Sequence, residues 1–353
     1  MRARPGRCRW FAAREYSPLT RVQTRYRMDL HVLPYFGRRR LRDVKPSTVQ
    51  AWNVELREKW LSGTTRALLH GFVLSVFASA VDDGLIPRNP AAGKTVRPPR
   101  RERPKVEPWT LERVRAMHEA MPERWRILVA LGAMAGLRQG ETFGLALEDI
   151  DWRARELRVR RQVLLFPSTR AAFALPKYEK ERTVPVGDVL LDELQRHLER
   201  FPAREVTLPW RELDGDPVTA RLVVTSREGG PGQKNYVSRS VWGPALERAG
   251  IPRERSNGSH ALRHHYASSL LAAGEGILVV AERLGHADPA FTLRTYTHLM
   301  PGTEQRTRDV VDALWRPPAA PAAEAATADA PPRPAVAPPT STPARRAHLR
   351  VVK

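Results

Sequence analysis

The chain has 353 residues, too many for one small core and enough for two or three domains. Its 59 Lys and Arg against 38 Asp and Glu give a net charge of +21, which favours a polyanion such as duplex DNA; the plainer reading is a GC-rich coding sequence heavy in Arg, Ala and Pro. A single cysteine, Cys8, excludes an intramolecular disulfide and a cysteine-rich zinc site, and no run of about 18 apolar residues marks a membrane span.

Residues 1–15 are Arg-rich, lack the apolar core of a secretion signal and are short for a DNA-binding domain of their own. From Ser17 to Asn89 the pattern is helical. SPLTRVQTRYRMDLHVLPYFG predicts a helix opened by Ser17 or Thr20 and closed at Gly37. In the next, Pro46 and Ser47 open a segment that sets Val49, Trp52 and Leu56 at helical spacing. A third, SGTTRALLHGFVLSVFASAVDDG, puts Leu68, Phe72, Ser75 and Ser79 on one side and stops at Gly84. Together they predict a helical bundle over residues 16–93. Residues 94–107 read as a basic, Pro-rich, extended linker that can lie along a phosphate backbone.

A second domain is expected over residues 108–316. It opens with a helix capped at Thr110, followed by an apolar helix closed at Gly136. ELRVRRQVLLF alternates and is rich in β-branched residues, which predicts one strand; Thr183 to Val186 and TARLVVTS predict others, although residues 204–225 are ambiguous. Helices follow over GDVLLDELQRHLERF, NYVSRSVWGPALERAG, HALRHHYASSLLAAG and ILVVAERLGH. A short helix places Val310, Val311, Leu314 and Trp315 on one side, either against its own domain or against a neighbour. Residues 317–353 are Pro/Ala-rich and are expected to be disordered. The fold class is mainly α with a small antiparallel β-sheet (α+β).

The chemistry concentrates in AGLRQGE, HALRHH, LGH and TYTH. Arg138 sits just past Gly136, at the entrance of the next element, and Glu141 can brace it or cap that helix. His260 and Arg263 are three apart, on one face of a helix. Each pair alone is weak, and the bland reading of Arg138 and Glu141 is a surface ion pair. The ordered set, ending in Tyr296 ten residues after His286, is specific. Guanidinium forks suit the non-bridging oxygens of a phosphodiester because they stay charged and bind in pairs.

Between about Ser17 and Trp315 the chain resembles the tyrosine recombinase (phage integrase) family. The resemblance implies a helical core-binding bundle followed by a DNA breaking–rejoining catalytic domain. It implies Arg138 and Arg263 on the phosphate, Glu141 in support, Lys177 of PKYEKERTVPV as general acid, and Tyr296 as nucleophile. Lys180, on the same turn, is the rival to Lys177. His260 is the candidate general base or proton relay, and His286 the candidate donor to a phosphate oxygen. Ala261 departs from the family, which usually has an acidic residue there; that bears on local bracing.

Elimination agrees on the nucleophile. Tyr16, Tyr26 and Tyr35 belong to the first domain, Tyr178 to the lysine turn, and Tyr236 and Tyr266 to apolar helices. Tyr296 alone lies in a polar, Thr-flanked segment. His264 and His265 read as ordinary core or surface residues, and His298 is left open.

The implied partners are double-stranded DNA attachment sites and three further copies of the chain, a homotetramer on paired sites, with an accessory or directionality factor left open. The resemblance implies no cofactor, no metal and no membrane, and a cytoplasmic place at the nucleoid. Three alternatives remain. A metal-dependent nuclease or protease has His260 and His264 at i,i+4 spacing, but Ala261 stands where a zinc protease would need glutamate. A non-catalytic DNA-binding regulator would not need the Arg–Lys–His–Arg–His–Tyr set. A type IB topoisomerase shares the chemistry but normally works as a monomer.

Overall fold

A computed structural model describes residues 9–102, 107–297 and 304–315. Most of the basic start, the centre of the linker, His298 and the Pro/Ala-rich tail lie outside them. The chain divides into one unit spanning Met1–Pro301 and a second spanning Gly302–Lys353.

The first unit is mainly α with small antiparallel sheets. It begins with α1 (Arg9–Ala12), α2 (Pro18–Arg27) and α3 (Leu33–Phe36), the last two joined by a π-helical stretch at Met28–Val32. Next come α4 (Pro46–Glu58) and α5 (Gly63–Asp82). Pro46 opens α4 where its missing N–H costs nothing, and the Ser62 hydroxyl caps α5 by accepting from the Thr65 N–H. Val49, Trp52 and Leu56 of α4 are buried as their spacing predicts. On α5 the buried face includes Leu69, Val73, Phe77 and Ala80, rotated by one to two residues from the face expected at Leu68, Phe72, Ser75 and Ser79. Apolar side chains occur all round this helix, so periodicity does not select a face. α5 is also long and apolar enough, by length and composition, to cross a membrane, which corrects the expectation that no segment is. Its inner face packs in the bundle core with Trp52 and Val49.

A separate, larger core runs from Trp109 to Leu262. Around it stand α6 (Leu111–Ala120), α7 (Glu123–Met134) and α8 (Gln139–Gly144). Then come β1 (Ile150–Asp151), β2 (Glu156–Val159), β3 (Gln162–Leu165), β4 (Ala171–Ala174) and β5 (Arg182–Pro185). The single strand expected over 156–166 is two. β2 lies between β1 and β5, whereas β3 pairs with β4. Arg160 and Arg161, at the break, both donate to the buried Asp149 carboxylate, at 2.8 and 2.7 Å, and this anchor marks where the chain leaves one ladder for the other.

After α9 (Asp188–Arg200), β6 (Arg204–Pro209) and β7 (Pro217–Leu222) form an antiparallel hairpin in the ambiguous region. α10 (Lys234–Tyr236) and α11 (Gly243–Arg248) flank a second π-helical stretch at Val237–Trp242. Tyr236, expected in the core, is half exposed. α12 (His260–Ala272), α13 (Ile277–Leu284) and α14 (Pro289–Tyr296) complete the unit, with a small core of their own that includes Tyr266, Leu271 and Leu284. In the second unit, α15 (Glu304–Trp315) exposes Val311, Leu314 and Trp315.

Candidate active site

Arg138 stands at the N-terminus of α8 because α7 ends just before Gly136, which turns the chain with φ +64°. A Cβ at Gly136 would lie 2.5 Å from Tyr266 Cδ1, so only glycine fits both the backbone and the space. Glu141, three residues on, reaches back. Its carboxylate accepts from the Arg138 backbone N–H at 2.9 Å and from Arg138 Nη1 at 2.7 Å. The same carboxylate accepts two bonds from Arg182 at the start of β5, at 3.1 and 2.6 Å. Both Glu141 and Arg182 are buried. Burial pushes the Glu141 carboxyl up, but Arg182 first, then Arg138 and Arg263, outweigh it and hold the group at about 2.

Arg182 also donates through Nε to the Arg283 carbonyl at 2.7 Å, at the end of α13. Arg138 Nη2 donates to the next carbonyl but one, Gly285, at 3.3 Å. Between these two, Arg263 Nη2 donates to the Leu284 carbonyl, while its Nη1 donates to Gly136 at 2.6 Å. Three consecutive carbonyls at the end of α13 thus accept from three different guanidinium groups. The helix can present them this way because Gly285 takes φ +62°, and a Cβ there would press on Arg182 at 3.1 Å. Each guanidinium has five N–H donors, so the bonds named leave donors over on Arg138 and Arg263. Arg263 is about 1% exposed, and burial, followed by the charge of Arg138, lowers it to about 9.

Tyr296 closes α14 within its polar, Thr-flanked segment and is itself about 1% exposed. Its hydroxyl lies 2.6 Å from His264 Nδ1. Burial raises the phenol to about 12, against the pull of Arg263. His264 was expected to be an ordinary residue; instead it holds the hydroxyl of the candidate nucleophile. Burial, then Arg263, lowers His264 to about 4, so its ring is neutral near pH 7 and its Nδ1 can accept a hydrogen bond from the phenol O–H. His265 does fit an ordinary role: its Nδ1 donates to the Trp109 carbonyl at 2.7 Å.

His260 sits one helical turn before His264, with ring centroids 4.8 Å apart and planes at 82°. It keeps an exposed edge. Desolvation first, then the charges of His264, Arg263, Arg138 and Lys177, hold its imidazole well below the usual value. His286 follows Gly285 and is fixed by its Nδ1, 2.6 Å from Thr292 Oγ1, and by Phe291 packed edge-on. Burial, then Arg263 and Arg138, lowers it to about 3. Lys177 is exposed on the turn between β4 and β5, its Nζ 4.9 Å from the Tyr178 ring centre. Of the two turn lysines, Lys177 is the one whose charge is felt at His260.

Arg138, Glu141, Arg263, His260, His286 and Tyr296 therefore share one neighbourhood, with Lys177 near enough for its charge to reach His260. Two members escaped the sequence: Arg182 and His264. No local motif announces an arginine that begins a strand, and helical spacing cannot say which histidine meets a tyrosine 32 residues further on.

The sequence profile described as "Phage integrase family" matches residues 110–302. The tyrosine recombinase XerC-like protein of Caldanaerobacter subterraneus subsp. tengcongensis is 30% identical over 281 residues, covering 76% of this chain and 70% of that one. A putative prophage phiRv2 integrase of Mycobacterium tuberculosis is 26% identical over 307 residues, covering 86% and 76%. Among solved structures, the Tn1549 transposon integrase in complex with a circular intermediate DNA superposes with a TM-score of 0.72 at 19% identity, over 87% of this chain and 98% of that one. A lambda integrase dimer bound to a core site gives 0.59 at 15% identity, over 80% and 96%. The chain belongs to the phage integrase family. It is a tyrosine-type site-specific DNA recombinase.

The Glu141 cluster sets an acid limit on stability. Its folded value, about 2, lies below the ordinary 4.5, so its contribution is complete above about pH 4.5 and is lost as pH falls towards 2. Arg182→Ala leaves a buried carboxylate short of a partner and is expected to cost about 3–5 kcal/mol. Urea unfolding at pH 7 and pH 3 checks both: the variant loses stability at pH 7, and the gap to the parent narrows at pH 3.

Proposed function

We propose that Tyr296 attacks the scissile phosphate, forming a 3′-phosphotyrosyl bond and releasing a 5′ hydroxyl. Arg138 and Arg263 hold the non-bridging oxygens, His286 donates a further hydrogen bond, and Lys177 protonates the departing oxygen. His260 serves as proton relay at the exposed lip. The phosphotyrosyl ester keeps the free energy of the original bond, so resealing needs no nucleotide. The observation that carries this reading is the gathering of Arg138 and Arg263 on adjacent carbonyls of α13, with the charge of Arg263 reaching the Tyr296 hydroxyl.

Under this reading residues 16–93 and 108–316 are two domains that grip the duplex from opposite sides, with 94–107 as a basic linker. Four copies act on two paired attachment sites of a mobile element, in the cytoplasm at the nucleoid. A lambda integrase structure shows a tetramer bound to a Holliday junction. The apolar face of α15 is the candidate contact between neighbouring copies; Val311, Leu314 and Trp315 are exposed on it.

On a nicked suicide substrate, Tyr296→Phe is expected to form no covalent protein–DNA adduct while still shifting the DNA in a gel. An adduct with the variant would remove Tyr296 as nucleophile. DNA affinity should also fall steeply with salt, with a log–log slope of about −0.9 per phosphate neutralised. A flat response in a filter-binding titration would contradict extensive backbone contact.

A further inference from the structure

We propose that His264 is the general base that takes the proton of Tyr296 during strand cleavage. The inference rests on Tyr296 being the nucleophile and adds a residue to its machinery. His264 Nδ1 is 2.6 Å from the phenol oxygen, within the reach a general base requires. His260, the base suggested by motif order, packs T-shaped against the His264 ring, whereas the phenol hydroxyl lies against His264 itself. Both histidines lie on α12, and the tyrosine comes to them from α14.

The contact is built rather than incidental. Arg263, adjacent to His264 in sequence, is clamped between the Gly136 and Leu284 carbonyls, which fixes the rotation of α12. Tyr296 is buried in the same small core as Tyr266, Leu271 and Leu284, which holds the other partner. The groups facing His264 are His260 and Arg263 from its own helix and Tyr296 from α14. Burial and the charge of Arg263 favour a neutral imidazole, the form that can accept.

The step balances as follows. The phenol proton moves to His264 Nδ1 while the phenol oxygen bonds to phosphorus. The P–O5′ bond breaks, and its electron pair leaves with the 5′ oxygen, which takes a proton from Lys177. In resealing, the 5′ oxygen bonds to phosphorus as its proton returns to the neutral Lys177 amine, the P–O bond to Tyr296 breaks, and the phenol oxygen takes its proton back from His264. A free phenol is a far weaker acid than imidazolium, so transfer before attack is uphill. The difficulty disappears when transfer accompanies bond formation, because an oxygen bonding to phosphorus becomes strongly acidic.

The test is single-turnover cleavage by the full chain, using suicide substrates with either oxygen or sulfur at the bridging 5′ position. His264→Asn, which can keep a hydrogen bond to the phenol but is not a base, should cleave the oxygen substrate about 10²–10⁴-fold more slowly, with DNA binding unchanged. Sulfur leaves without a proton, so the sulfur substrate should restore Lys177→Ala but not His264→Asn. His264→Ala should regain cleavage in added imidazoles, with a rate that rises with their basicity. Near-parental cleavage by His264→Asn, its restoration by sulfur, or rescue indifferent to imidazole basicity would each overturn the proposal. An adduct formed by Tyr296→Phe would instead overturn the nucleophile assignment on which it rests.

Discussion

The site depends on one buried carboxylate. Glu141 accepts from Arg138 on one side and from Arg182 on the other, and these two arginines reach carbonyls at the end of α13. A buried carboxylate with a single partner would be costly, because desolvation takes several kcal/mol from each ion. With two guanidinium groups and a backbone N–H it is satisfied, and it fixes the distance between α8, β5 and α13. The lysine turn precedes β5, and His286 follows α13. One side chain therefore sets the positions of segments that are far apart in sequence.

The charge balance of this cluster explains its chemistry. Arg138, Arg182 and Arg263 surround a single carboxylate, which leaves an excess of positive charge. Burial first, and then that excess, lowers His260, His264 and His286, keeping their rings neutral near pH 7. The excess also leaves the site electropositive, and under the proposed function the anion that meets it is the scissile phosphate of the DNA. Tyr296 lies covered beside this field, its phenol raised to about 12 by burial.

Much of this was legible in the sequence, for physical reasons. Arg138 and Glu141 are neighbours on one helical turn, so their bond is a local event that spacing announces. Gly136 ends a helix where a left-handed turn is needed, and that too is local. What was not legible is tertiary. Arg182 begins an ordinary strand, and its value comes from Glu141, 41 residues earlier. His264 cannot be singled out locally, because a helix carrying three histidines offers no periodicity argument for which one meets α14. Helix α5 was read one to two residues out of register because its apolar side chains occur all round it. The strand expected over 156–166 divides where two arginines turn to a buried aspartate, a contact that alternation alone does not encode.

The central claim is that Arg138 and Arg263 are gathered to neutralise the charge of one phosphate. Cleavage of a substrate whose scissile phosphate is replaced by a neutral methylphosphonate tests it most directly. Removing a preorganised donor typically costs about 10²–10³ in rate when charge must be stabilised. The account predicts that Arg263→Ala is slowed to that degree on the ordinary phosphate and recovers most of the loss on the neutral one. An equal deficit on both substrates would contradict it, since the arginine would then be acting on something other than the charge.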